Sequence, residues 1–136
     1  MKLIKDKYKY PELQRVENEL GRFYIDSEGQ EVPSVTNVLS TTSDQSGIDE
    51  WKRRVGLEEA ERVLQESSSI GSNVHNALEN YLQDKEWKII DDGSYISKTS
   101  ILILESFINN LINDINEVWG LEAGLILDGL YAGTAD

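Results

Sequence analysis

Apolar residues recur at helical spacing in two long stretches of this chain. Over 57–82 they fall at Leu57, Ala60, Val63 and Leu64, then at Val74, Ala77, Leu78, Tyr81 and Leu82. Steps of three and four residues place such positions on one face of a helix. Between the two sets lies Ser67-Ser68-Ser69-Ile70-Gly71-Ser72, a run of poor helix formers that predicts a break or kink near Gly71. Over 97–116 Ile101, Leu104, Ile108, Leu111, Ile112 and Ile115 line one face, the clearest amphipathic helix in the chain. Two shorter helices are expected. One runs from Ile48 to Val55 and closes at Gly56; the other runs from Val35 to Leu39, with Ser34 as its N-cap.

Strand signals lie at both ends. Arg22–Asp26 and Glu31-Val32 flank the turn sequence Ser27-Glu28-Gly29-Gln30 and read as a β-hairpin. Glu117–Leu127 turns to strand, Asp128-Gly129 is a tight turn, and Leu130–Asp136 starts a second strand. Residues 1–21 are polar, tyrosine-rich and interrupted by Pro11, while 40–47 and 83–96 read as loops. Together these elements predict an α+β chain, with no internal repeat and no low-complexity tract.

Length and composition narrow the class. At 136 residues the prior is a single domain, and 39% hydrophobic residues suffice for a modest core. The absence of cysteine excludes a disulfide scaffold, a thiolate zinc site and a cysteine nucleophile. No apolar run reaches membrane-spanning length and no signal peptide is visible, so a cytoplasmic protein without a membrane partner is expected.

Charge is unevenly spread. Thirteen basic against 25 acidic residues give a net −12, which opposes long-range attraction to phosphate. Yet the first 22 residues hold Lys2, Lys5, Lys7, Lys9, Arg15 and Arg22, and Lys52-Arg53-Arg54 is a basic triplet. Such a triplet reads either as a phosphate contact or, more commonly, as a solvated helix face. Trp51, Trp87 and Trp119 are expected as core or core-edge anchors rather than base-stacking platforms.

Two constellations carry chemistry. His75, the sole histidine, has Glu79 one helical turn on, a pair suited to orienting an imidazole or holding a cation; an incidental ion pair is the commoner meaning of that spacing. Glu122 and Asp136 lie on adjacent expected strands, and carboxylates at strand ends present oxygen to Mg²⁺. Gly133-Thr134 precede Asp136, and a strand glycine permits close approach of a ligand or another backbone.

Taken in order, Pro33-Ser34-Val35-Thr36-Asn37-Val38-Leu39, Asp49-Glu50-Trp51-Lys52-Arg53-Arg54-Val55-Gly56, Gly71-Ser72-Asn73-Val74-His75 and Tyr131-Ala132-Gly133-Thr134-Ala135-Asp136 resemble a family. The chain is similar, from about Arg22 onward, to the front half of a phage-type or RecB-like exonuclease of the PD-(D/E)XK nuclease superfamily. The resemblance implies a helical N-terminal part with a small hairpin (22–116, after the N-terminal segment 1–21), leading into the first strands (117–136) of a restriction-endonuclease-like mixed sheet. It implies that His75 is a metal-proximal active-site residue and that Asp136 is a metal ligand, both catalytic, with Glu122 as a further ligand. Mg²⁺ or Mn²⁺ is the implied cofactor, and Ser34, Thr36, Lys52, Arg53 and Arg54 are the implied nucleic-acid contacts.

The chain departs from the family pattern in two places. Ile70 stands where the family often has a basic residue, and no Asp/Glu-x-Lys triplet follows Asp136. Glu50-Trp51-Lys52 and Glu86-Trp87-Lys88 both precede Asp136 and read as chance matches. The expectation is therefore one incomplete nuclease domain, the N-terminal portion of a bacterial or phage-encoded exodeoxyribonuclease, inactive by itself and prone to self-association through the exposed 117–136 hairpin. Two rival readings remain: a non-catalytic DNA- or protein-binding module of recombination or replication, and an acidic DNA mimic, disfavoured because the acids are scattered among both signs.

Overall fold

In the computed structural model, which describes residues 1–136, seven strands and four α-helices give an α+β chain that divides into two compact units. One unit comprises residues 1–3 and 45–118, the other residues 4–44 and 119–136. No helix is long and apolar enough to cross a membrane.

The first unit is helical. It holds α2 (Ser46–Val55), α3 (Leu57–Leu82), α4 (Tyr95–Asn110) and a 3₁₀ turn (Ile112–Asp114). The short strands β1 (Lys2–Leu3) and β5 (Glu117–Val118) pair in parallel beside them. Gly56 ends α2 at φ +94, a conformation that a β-carbon resists and glycine adopts freely. The expected kink at Gly71 is absent: α3 runs unbroken through Ser67–Ser72. Tertiary packing overrides the weak local propensity. Ala60 and Ala77 are buried on its length, and the Asn73 amide donates to the Ser100 hydroxyl of α4 at 3.3 Å.

α4 begins two residues before Ser97, because the Ser94 hydroxyl accepts the Ser97 N–H. Its buried face is partly polar: Ser97, Ser100 and Leu104 are enclosed, while Leu111 of the expected stripe is exposed. Small side chains at 97 and 100 keep their hydroxyls satisfied locally. Ser100 donates to the Ile96 carbonyl at 2.6 Å, and Ser97 donates to Asp92 at 2.7 Å.

The second unit is built on strands. β2 (Gln14–Asn18), β3 (Gly21–Ile25) and β4 (Glu31–Pro33) form an antiparallel meander, with Arg15 opposite Tyr24 and Tyr24 opposite Val32. The expected 22–32 hairpin is present. The strand preceding it, Gln-Arg-Val-Glu-Asn, gave no sequence signal, because a single apolar Val16 marks no alternation. α1 (Val35–Thr42) follows, capped by Ser34 as expected and extended past Leu39 by Thr41 and Thr42, whose hydroxyls donate to the Asn37 and Val38 carbonyls. β6 (Ala123–Leu127) and β7 (Tyr131–Ala135) form the C-terminal hairpin. The expected strand 117–127 is thus split: 117–118 pairs with β1, and 123–127 pairs with β7. Tyr24, Val32 and Ala132 form the core of this unit, with Leu13 and Ile126 packed against it.

A buried carboxylate joins two turns in this unit. Asp26 accepts from the N–H groups of Glu28 (3.0 Å) and Gln30 (2.8 Å) through Oδ1 and from Gly129 (2.8 Å) through Oδ2. The Gly129 hydrogen bond first, then those from Gln30 and Glu28, hold its carboxyl below the ordinary value against the opposing cost of burial. In the helical unit, hydrogen bonds from Ser94 and Ser97 hold Asp92 down to about 2. A depressed folded-state pKa contributes stability above the unfolded-state pKa of about 3.9 and loses it as pH falls through the folded value. Thermal melts from pH 7 to pH 2.5 are therefore expected to show falling stability below about pH 4. Asp26→Asn and Asp92→Asn should each melt lower than the parent at pH 7 and lose less on acidification. Parallel pH profiles for parent and variants would contradict this account.

Candidate functional site

The hairpin places two carboxylates at one end. Ala123 of β6 pairs with Ala135 of β7, so Glu122 and Asp136 each lie one residue beyond this terminal pair and flank the same open end. Both are exposed. Glu122 has φ +51, a left-handed backbone that costs a non-glycine residue about 1–3 kcal/mol and that gathers at functional positions. A pocket of about 500 Å³ adjoins Glu122, walled by Tyr10, Pro11, Leu13 and Thr134. Gly124 sits where a β-carbon would come within 2.5 Å of the Pro11 carbonyl oxygen, so the 10–13 segment lies directly against β6.

On the helical unit His75 and Glu79 fall one turn apart on α3, both half-buried. A ring nitrogen of His75 and a carboxylate oxygen of Glu79 lie within 4.8 Å of each other, and Glu79 accepts a hydrogen bond from the Gln83 amide at 3.1 Å. The α3 geometry thus joins the histidine to the acid its spacing indicated. Unbroken helix, rather than a kink, supplies that alignment.

No family model, no curated protein and no solved structure matches this chain.

Glu122 and Asp136 offer hard oxygen donors on adjacent strand ends. Such a pair fits Mg²⁺ or Mn²⁺, which are commonly held through one or two carboxylates, with water and substrate phosphate filling the remaining positions. His75 with Glu79 offers one nitrogen and one oxygen, a set that suits Mn²⁺ better than Mg²⁺.

The implied nucleic-acid contacts divide. Ser34 is buried, and its hydroxyl accepts the Asn37 N–H at 3.0 Å as the cap of α1. Its own N–H donates to the Arg22 carbonyl. Thr36 is exposed in the first turn of α1. Lys52, Arg53 and Arg54 occupy the last turn of α2, where cations complement the helix dipole. Arg53 and Arg54 are exposed and Lys52 is half-buried.

Two features escaped the sequence reading. One is the left-handed backbone at Glu122, which no residue pattern announces. The other is Trp119, expected as a core-edge anchor but 44% exposed beside Tyr8; the signal was the interleaving of Lys7, Tyr8, Lys9 and Tyr10.

Proposed function

We propose that this chain carries the front part of a metal-dependent nuclease that hydrolyses DNA phosphodiester bonds in a bacterial or phage-encoded cytoplasmic setting. The carrying observation is the pairing of Ala123 with Ala135, which sets Glu122 and Asp136 at the same end of the β6–β7 hairpin. The left-handed backbone at Glu122 supports it.

In this reading Glu122 and Asp136 are metal-ligating carboxylates, and His75, with Glu79 beside it on α3, is the imidazole that the resemblance assigns to the active site. Bound Mg²⁺ or Mn²⁺ supplies Lewis-acid polarisation of a phosphoryl oxygen and a lowered pKa for water. The chain's own contribution is to hold acidic oxygens at the hairpin end, to present an imidazole on a rigid helix, and to meet phosphates through Lys52, Arg53 and Arg54. Self-association through the hairpin belongs to the same proposal, supported by the exposed Leu125, Leu127, Leu130 and Tyr131.

Mn²⁺ titration followed by electron paramagnetic resonance tests the metal assignment. Mn²⁺ is expected to bind the protein, and Glu122→Gln or Asp136→Asn should each weaken binding at least about tenfold, about 1.4 kcal/mol. Equal Mn²⁺ affinity for the parent and both variants would remove the metal from the hairpin end, and the nuclease reading with it.

A further inference from the structure

The segment 5–10 and Trp119 form a patch that the nuclease reading does not use. Tyr8 contacts the Tyr10 ring edge-on, with centroids 6.3 Å apart at 62°, and the Trp119 ring at 5.9 Å and 72°. The three rings therefore make one contiguous surface centred on Tyr8. Tyr8 is 53% exposed and Trp119 44% exposed. The platform is anchored underneath. The Tyr10 hydroxyl donates to the Trp119 carbonyl at 3.2 Å, and Gly120 lets the Tyr10 ring lie so close that a β-carbon there would come within 2.9 Å of it.

Lys5, Lys7 and Lys9, all exposed, alternate with Asp6 and Tyr8 along the same segment, and Asp6 is the only acid among residues 5–10. The Lys7 ammonium stands 4.9 Å from the Trp119 ring centroid, within cation–π range. In a chain of net charge −12, residues 5–10 carry a local excess of positive charge, and its Lys7 member stands on an exposed aromatic face. A buried core anchor requires neither the exposure nor the lysines.

We propose that Tyr8 and Trp119, with Lys5, Lys7 and Lys9, form a binding platform for single-stranded DNA. Aromatic rings stack on bases whose faces are free, and lysines neutralise the phosphates between them. Paired bases in a duplex have no free face, so the rings select the single strand. A base on Trp119 takes the place of the Lys7 ammonium, which then meets the neighbouring phosphate. The inference does not rest on the nuclease reading, because stacking and phosphate neutralisation need no metal.

Fluorescence anisotropy in EDTA, with a labelled oligothymidylate of about 15 nucleotides, tests it without engaging any metal site. The parent protein should bind, and Tyr8→Ala should weaken binding about tenfold, within the range measured for one base–aromatic stack. Tyr8→Phe keeps the ring and should bind within about twofold of the parent. Replacing Lys5, Lys7 and Lys9 together by glutamine should lower the steepness of log K against log salt by about 2, at about 0.7 per phosphate on a single strand. Circular dichroism of each variant should match the parent, since these side chains are exposed. Absence of binding by the parent, or unchanged affinity in Tyr8→Ala together with an unchanged salt slope in the lysine variant, overturns the platform. So does equal affinity for a duplex, for an oligouridylate or for polyglutamate. None of these results bears on Glu122 or Asp136, which the Mn²⁺ titration tests separately.

Discussion

Linear DNA incubated with the 136-residue chain and Mg²⁺ or Mn²⁺ is expected to remain intact. On the proposed nuclease reading, a version extended by an Asp/Glu-x-Lys strand after Asp136 would digest it. In that longer version His75→Ala or Asp136→Ala should cut the rate about 10⁴-fold, the scale seen when one member of a catalytic set is removed. On the proposed reading two carboxylates at the hairpin end would offer a metal oxygen ligands, and on α3 a His75 ring nitrogen lies within 4.8 Å of a Glu79 carboxylate oxygen. Neither supplies a cation beside the attacking water, and catalytic groups act as a unit rather than additively. End-labelled DNA on a denaturing gel, with an EDTA control, reads the outcome. Metal-dependent digestion by the 136-residue chain, lost in His75→Ala, would move the missing function to Glu50-Trp51-Lys52 or Glu86-Trp87-Lys88. An inactive longer version would reject the nuclease assignment.

The largest stability effect is expected at Leu104, which is 2% exposed on α4 and is the largest of the fully buried side chains. Leu104→Ala should cost about 2–5 kcal/mol, combining lost transfer energy with the cavity left behind. Leu102, two residues away on the same helix, is 67% exposed, and Leu102→Ala should cost less than about 0.5 kcal/mol. Urea denaturation separates them by midpoint at unchanged slope. Equal midpoints would show that α4 buries a different face from the one described. Because the Leu104 variant removes only apolar volume, its effect is independent of any metal or nucleic acid.

Several elements were legible from local chemistry. Ser34 announces the start of α1 because its hydroxyl can replace a missing backbone partner, and it does so. Gly56 announces the end of α2 because few other residues take its positive φ without strain. The Asp128-Gly129 turn and the Gly29 turn were equally plain, since each needs a left-handed glycine. The α3 stripe predicted a helix at both of its ends, yet the serine and glycine run misled the reading between them. Intrinsic propensities there amount to about 1 kcal/mol for glycine against alanine, and packing of α3 against α4 through Asn73 and Ser100 outweighs them.

What the sequence by itself determined is therefore the α+β class, the start of α1 at Ser34, the stop of α2 at Gly56, and the turns of the 22–32 hairpin and of the hairpin that brings β6 back along β7. These follow from backbone hydrogen bonding and side-chain periodicity within a few residues. Only the tertiary structure decided which residues share a place. It paired Ala123 with Ala135 and so aligned Glu122 with Asp136. It built each of two units from segments distant in the chain, and it laid Tyr8 against Trp119 across 110 intervening residues. Strand register and ring contacts depend on surfaces that meet only after the chain has closed long loops, and no local pattern of residue types encodes where those surfaces will meet.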